Sequence, residues 1–162
     1  MRIRLTATFA ILALAACSAP EAQEPVAEQD IAAIEHEAHG AFVDAINSND
    51  TKAVMEVLTD DVVFQYPGAP ELVGKEAVRP WIQGYYDAFD TEWEKTSHGF
   101  TVDGDTAYQR YTYRVTDTAK DGGAVTTDVG KGVTVFRRGD DGKWRVAIDG
   151  WSSDTAPGQA EG

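Results

Sequence analysis

Asp149 and Trp151 stand two residues apart in a segment, 144–152, whose alternating side chains predict the last β-strand of the chain. Side chains two apart on a strand point to the same face, so the carboxyl group would lie beside an aromatic wall. In a pocket, that arrangement suits an acid or base that transfers protons. The alternative is an outward-facing carboxylate paired with an arginine such as Arg137 or Arg145. Asp149 is therefore the first candidate for a catalytic group, with both interpretations open.

His98 is the second catalytic candidate, because an imidazole near the end of a predicted strand could act as a general base. A surface histidine or one satisfied by hydrogen bonds is the alternative. Several aromatic side chains could line a pocket and meet a ligand: Tyr66, Tyr85, Tyr111, Tyr113 and Trp151. For the four tyrosines, ordinary packing in the core and at its rim is the alternative.

The remaining polar residues predict no further chemistry. Charged residues within strands usually face water, and we expect this of Asp128, Lys131, Arg110 and Arg114. His36 and His39 are three residues apart, whereas the zinc-peptidase motif needs four. The sequence contains no Walker A motif, nucleophile elbow or dinucleotide fingerprint. We therefore expect no metal site and no cofactor.

The composition excludes further classes of protein. The 162 residues carry 14 Lys and Arg against 27 Asp and Glu, a net charge of −13, which argues against a nucleic-acid partner. One cysteine cannot close an intrachain disulfide or supply a cysteine-rich zinc site. The hydrophobic content of 43% argues for a folded domain rather than global disorder.

The first residues have the pattern of a bacterial export signal. Arg2 and Arg4 precede an uncharged stretch that is too short to span a bilayer as a helix. The stretch ends in Leu-Ala-Ala-Cys at 14–17, which resembles the lipobox of bacterial lipoproteins. The resemblance implies a signal peptide at 1–16, a lipidated Cys17 and a lipid anchor as the only membrane contact. Ser18 after the cysteine implies the outer membrane, facing the periplasm.

The mature chain divides into a tether, a domain and a tail. Residues 17–30 are acidic and proline-containing, which predicts a disordered tether, and 155–162 predict a disordered tail. Within the domain, 31–154, helices are predicted at 31–47, after Asp50 and near 75–89, where Pro80 should kink the helix or mark a late start. Strands are predicted at 62–66, 91–102, 106–116, 124–138 and 144–152. This order predicts an α+β fold with three helices on one face of a curved, mainly antiparallel sheet.

The domain resembles the nuclear transport factor 2-like superfamily, and within it the SnoaL-like proteins. The resemblance rests on five segments in this order: FVDAINSND at 42–50, LTDDVVF at 58–64, GKEAV at 74–78, DGKWRV at 141–146 and DGWS at 149–152. It implies a cone-shaped fold with a pocket between helix and sheet, and homodimers through the open sheet face.

Ketosteroid isomerase, the best understood relative, uses an Asp base, with a Tyr and a protonated Asp as oxyanion donors. The surroundings of its carboxyl groups set their pKa values. The resemblance places Phe42, Tyr66 and Thr134 at those three positions, so the catalytic residues of that enzyme are not retained. Three hypotheses follow. The domain binds a small, partly apolar ligand; it is an acid/base isomerase, cyclase or dehydratase acting on a carbonyl or polyene; or it is a homodimerising interaction module.

Overall fold

A computed structural model of the chain describes residues 28–155, with side chains from Asp30 onward. The predicted signal peptide at 1–16, Cys17 and most of the predicted tether and tail lie outside the described residues. Glu28–Asp30, assigned to the tether in the sequence analysis, already belong to the first helix. Between residues 28 and 155, no helix is both long enough and apolar enough to cross a bilayer.

Three helices open the domain. Helix α1 spans Glu28–Asn47, α2 spans Thr51–Glu56 and α3 spans Lys75–Ala88. The side chain of Asp50 accepts a hydrogen bond from the backbone amide of Lys52, which caps α2 as predicted. The helix α3 runs through Pro80, so the predicted late start is wrong. Pro80 and Glu76, four residues before it, are both exposed, and water can therefore serve the carbonyl group that proline leaves without a donor.

Six strands form one sheet. They are β1 (Leu58–Gln65), β2 (Leu72–Val73), β3 (Phe89–Asp103), β4 (Thr106–Ala119), β5 (Val125–Arg138) and β6 (Trp144–Ser153). Their order across the sheet is β2-β1-β6-β5-β4-β3, and all neighbours are antiparallel except β1 and β6. The predicted α+β fold and its four-strand meander are confirmed. The two-residue strand β2 and the parallel pairing of β1 were not predicted.

The inner face of the sheet forms the core with the helices. Strand β4 buries Gln109, Tyr111, Tyr113 and Val115 and exposes the residues between them, as its period of two predicts. Arg110 and Arg114 are on the exposed face, as expected. Phe42 and Ala45 of α1, both buried, pack into the same cluster as Leu58, Val62 and Phe64 of β1.

The end of α1 is joined to the free edge of β3 by two side-chain amides. Asn47 donates to the carbonyl oxygen of Trp93 at 2.9 Å and accepts from its amide at 2.7 Å. Asn49, which adopts a positive φ of 53°, makes the same pair of bonds to Thr91, at 3.0 and 2.9 Å. These four bonds fix β3 against the helix and so set the position of the residues that follow in the strand.

Two glycines of β5 allow large rings to lie flat against the sheet. The register between β4 and β5 is unbroken from Thr106 to Thr118, so these glycines, Gly130 and Gly132, do not form a bulge against β4. A Cβ on Gly132 would lie 2.5 Å from the Gly150 carbonyl oxygen and would overlap the Tyr111 hydroxyl oxygen. Close approach of the Tyr111 ring therefore requires glycine at position 132.

We predict that Gly132→Ala lowers the free energy of unfolding by about 1–3 kcal/mol, because the new methyl group meets backbone that cannot move away. Gly84→Ala is the control, since a Cβ at this exposed position of α3 meets nothing within 4 Å. Its expected effect is a gain of about 0.5–1 kcal/mol from the lower entropy of the unfolded chain. Urea unfolding of both variants checks the difference, and equal midpoints would contradict it.

Candidate functional site

A small cavity lies between α1, α3 and the inner face of the sheet. Its volume is about 50 Å³, and its wall is mostly aromatic and aliphatic: Phe42, Ile46, Val54, Phe64, Trp81, Ile82, Tyr85, Tyr86, Trp93 and Trp151. Among the described residues, Lys95 and Asp149 are the charged groups that line it. An apolar wall with a few convergent polar groups is the usual character of a ligand pocket.

Lys95 and Asp149 form a buried ion pair. The ammonium nitrogen of Lys95 lies 3.2 Å from Oδ2 of Asp149, and the two side chains are 2% and 6% exposed. The other carboxylate oxygen, Oδ1, accepts from the Tyr111 hydroxyl at 3.1 Å and from the Thr134 hydroxyl at 2.7 Å. Of about four acceptor positions on a carboxylate, three are therefore occupied, and one remains for a further donor.

The sheet topology brings these four residues together. Lys95, Tyr111, Thr134 and Asp149 come from four consecutive strands, β3 to β6, and Thr134 lies directly opposite Asp149 in the β5–β6 register. Each points inward because it falls on the core face of its strand. Lys95 is also held from the helix side, where His39 of α1 donates to its backbone carbonyl oxygen at 3.3 Å.

Two aromatic rings enclose the amine of Lys95. Its nitrogen lies 3.9 Å from the centre of the Tyr111 ring and 4.4 Å from that of Phe42. Burial lowers the pKa of Lys95, and the neighbouring charge of Asp149 opposes that shift in part. Burial, followed by the charge of Asp149, raises the pKa of Tyr111, so its hydroxyl stays protonated and serves as a donor.

Half-buried aromatic side chains of the lining, among them Trp81, Tyr85 and Trp151, form what we call the mouth of the cavity. Trp81 stacks on Tyr85 with ring centres 5.9 Å apart, and Tyr66 packs on Trp81 at 5.0 Å. Trp151 contacts Phe64 edge-on at 5.9 Å. The ring contacts supply both apolar surface and a wall that must move if anything larger than the cavity is to reach the ion pair.

The residues predicted from the sequence separate into three locations. Tyr85, Trp151 and Asp149 line the cavity, and Tyr111 donates to Asp149. Tyr66 packs on the outer side of the mouth, while the Tyr113 hydroxyl donates to Asp128 at 2.8 Å. The hydroxyl of Tyr85 donates to Asp117 rather than into the cavity. Three of the four tyrosines, Tyr85, Tyr111 and Tyr113, therefore donate their hydroxyl groups to carboxylates of the protein.

His98 lies on the opposite face of the sheet from Asp149. It is exposed, at an irregularity of β3 between Ser97 and Gly99, and its Nε2 lies 2.8 Å from the hydroxyl oxygen of Thr112. It borders an open groove of about 700 Å³ on the outer face, together with Arg110 and Lys131. The structure thus does not bring the two catalytic candidates to one site.

The alternative interpretation of Asp149, an outward-facing carboxylate paired with Arg137 or Arg145, is wrong. Arg137 pairs with Asp61, and Arg145 pairs with Asp141, both at the surface. Sequence reasoning missed Lys95, which is the actual partner. The available signal was the alternation of β3, in which Thr91, Trp93 and Lys95 share one face while the glutamates between them take the other. A lysine on the apolar side of a strand needs a buried anion.

No group of three or more histidine, cysteine or acidic residues that could hold a metal ion occurs within 28–155. The charged groups that line the cavity are instead the Lys95 amine and the Asp149 carboxylate, and the Tyr111 and Thr134 hydroxyls donate to that carboxylate from beside the cavity. This set can hold a polar atom of a ligand, and it can accept and donate protons.

We predict that removing one charge of the pair lowers the free energy of unfolding more than removing both charges does. Lys95→Met or Asp149→Asn alone leaves the other charge buried and unpaired, which should cost about 3–5 kcal/mol of stability. The double variant removes both charges and should be more stable than either single variant. As a surface control, Arg138→Ala breaks the exposed pair with Asp105 and should cost less than about 1 kcal/mol. Urea unfolding of all four proteins would contradict this picture if the effects of the two single variants simply added.

Comparison with known proteins identifies the family. A ketosteroid isomerase-like protein from Erwinia carotovora atroseptica matches with a TM-score of 0.71 and 26% identity over 80% of this chain and 99% of that one. A nuclear transport factor 2-like superfamily protein from Salmonella enterica matches with a TM-score of 0.71 and 15% identity, over 84% and 99% of the two chains. No curated protein matches the chain. The SnoaL-like domain family matches residues 39–147, and the chain belongs to that family.

Proposed function

We propose that this chain is an envelope lipoprotein whose SnoaL-like domain binds a small, partly apolar molecule in the cavity beneath α1 and α3. The observation that carries the proposal is the Lys95–Asp149 pair in the lining of an otherwise apolar cavity. The fold alone does not choose among activities, because folds of this kind host many unrelated functions.

A buried ion pair supports a role beyond folding. Desolvation of two charges costs about as much as their attraction returns, so apolar residues of similar volume would stabilise the core equally well or better. The pair here borders a cavity, and Oδ2 of Asp149 has room for one more donor. A ligand with one polar atom could use that position while its apolar part lies against the aromatic wall.

The cavity volume limits how such a ligand binds. About 50 Å³ is far below the roughly 300–1,000 Å³ of typical small-molecule sites. Binding of anything beyond a few heavy atoms therefore requires the mouth to open, and Trp81 and Tyr85 are the half-buried side chains that would rotate. Trp81 should move at lower cost, because its stacking on Tyr85 involves no hydrogen bond between the rings, whereas rotation of Tyr85 also breaks the bond from its hydroxyl to Asp117.

An acid/base enzyme is the second candidate function. It is favoured by the 3.1 Å contact between the Tyr111 hydroxyl, a proton donor, and Asp149, the carboxylate that lines the cavity. In this scheme Asp149 would move the proton and Tyr111 would polarise a carbonyl oxygen. His98, on the outer face, would have no part in it.

We also propose that the chain forms a homodimer through the outer face of the sheet. The outer face of the sheet carries large apolar side chains in water, with Tyr108 48%, Val133 45% and Ile148 37% exposed. Exposed apolar patches of this kind are typical of association sites. Light scattering of the full chain at several concentrations tests the assembly, and a monomer throughout would remove this component without affecting the cavity.

The lipid anchor is tested at Cys17. We expect the mature protein to begin at this residue, to carry acyl chains and to fractionate with the outer membrane, because more than one chain is needed for stable anchoring. Cys17→Ser should release the protein from the membrane fraction. Mass spectrometry of the N-terminal peptide is the measurement, and an unmodified Cys17 in the mature protein would end the lipoprotein proposal.

Ligand binding is tested with benzyl alcohol, whose hydroxyl group can donate to Asp149 and whose ring fits the aromatic wall. We expect it to quench the fluorescence of the tryptophans that line the cavity. Asp149→Asn should weaken binding about ten-fold or more, since a hydrogen bond to a charged acceptor contributes about 1.5–3 kcal/mol. Asp105→Asn, at a 66% exposed side chain, is the matched control and should bind as the wild type does.

Two results would overturn the binding proposal. One is the absence of saturable quenching in the wild type, combined with the absence of any retained small molecule after purification from the native envelope. The other is unchanged affinity in Asp149→Asn when its folded state is intact by circular dichroism.

A further inference from the structure

The amine of Lys95 lies in surroundings unlike those of the surface lysines. Lys120 and Lys131 keep 39% and 63% of their side chains exposed and pair with exposed carboxylates. The side chain of Lys95 is 2% exposed, contacts two aromatic rings and borders the cavity. Its only ionic partner among the described residues, Asp149, borders the same cavity, so a small molecule there would meet an amine and a proton acceptor together.

We propose that Lys95 captures the carbonyl group of an aldehyde or ketone ligand as an imine, with Asp149 transferring the protons. This inference rests on the proposed function, because the ligand must first occupy the cavity. It deepens that function by naming the ligand class and the atom that holds it.

The reaction balances with the groups present. The ammonium of Lys95 gives a proton to Asp149, and the lone pair of the free amine attacks the carbonyl carbon. An N–C bond forms as the carbonyl π bond breaks, and the oxygen takes up a proton from the nitrogen. Asp149 then protonates the hydroxyl group, the C–O bond breaks, and water leaves. The product is a protonated imine on Lys95 beside the Asp149 carboxylate, so the net change is one carbonyl group consumed and one water released.

The geometry favours each requirement of this step. Proton transfer needs hydrogen-bond reach between amine and carboxylate, and the two atoms are 3.2 Å apart. The attacking amine must be neutral, and burial shifts Lys95 in that direction by lowering its pKa. The protonated imine keeps the positive charge of the lysine, so the ion pair and the contacts with the rings of Phe42 and Tyr111 are preserved in the product.

Reductive trapping tests the proposal. The full chain is incubated with benzaldehyde and cyanoborohydride at neutral pH, which converts an imine into a stable benzyl amine, and the labelled lysines are located by peptide mass spectrometry. Lys95 should be labelled about ten-fold faster than Lys131 or Lys120, because a bound carbonyl is held beside its amine. An excess of benzyl alcohol, which cannot form an imine, should suppress labelling at Lys95 and leave the surface lysines unchanged.

Two variants test whether the labelling rate of Lys95 depends on Asp149. Asp149→Asn, checked for its fold by circular dichroism, should slow labelling of Lys95 about 100-fold through loss of acid/base assistance. Asp154→Asn, which removes the partner of the exposed Lys131, is the matched control and should leave the Lys95 rate unchanged. The peptide map of the wild type is decisive by itself, so the test does not depend on any variant folding.

Three outcomes would overturn the inference, and they distinguish its failure from failure of the proposed function. If benzyl alcohol binds but label appears on surface lysines and not on Lys95, imine formation is wrong while ligand binding stands. If benzyl alcohol does not bind and no small molecule is retained from the envelope, both fail together. Labelling of Lys95 that proceeds at the rate of the surface lysines also overturns the inference.

Discussion

The Lys95 ammonium and the Asp149 carboxylate lie 3.2 Å apart in the core, so the groups around them must satisfy both charges. Neither charge can reach water, so two hydroxyls complete the carboxylate and two rings enclose the amine. One of those rings, that of Tyr111, needs Gly132 beneath it. Gly132, the Tyr111 ring and the Lys95–Asp149 pair are thus parts of one arrangement.

The same arrangement distinguishes this domain from ketosteroid isomerase, to which it is related in fold. The resemblance assigns Phe42 and Thr134 to positions where that enzyme has oxyanion donors. Here Phe42 packs over the Lys95 amine, and Thr134 donates to Asp149. The two charged groups therefore lie at other strand positions, Lys95 on β3 and Asp149 on β6. A scaffold that keeps its helices and sheet while moving its charged groups is typical of folds that carry many functions.

Much of the fold could be predicted from the sequence, because periodicity reports which face of an element is apolar. The expected exposure of Arg110 and Arg114 on β4 is confirmed, and Tyr111 and Tyr113, on the other face of that strand, are buried. Periodicity does not report which strands become neighbours, and Lys95 and Asp149 are 54 residues apart in the chain. Their pairing depends on two further strands lying between them, β4 and β5, and on side-chain lengths that span that distance, neither of which a single strand reveals.

The amides of Asn47 and Asn49 have a consequence for the behaviour of the chain among its neighbours. Strand β3 is an outer strand of the sheet, and outer strands offer unpaired backbone groups to any extended segment that comes near. Along Thr91 and Trp93 those groups are already occupied by side chains of the preceding helix and turn. Two amide side chains thus take the place of a seventh strand and protect this part of the sheet from intermolecular β-pairing and aggregation.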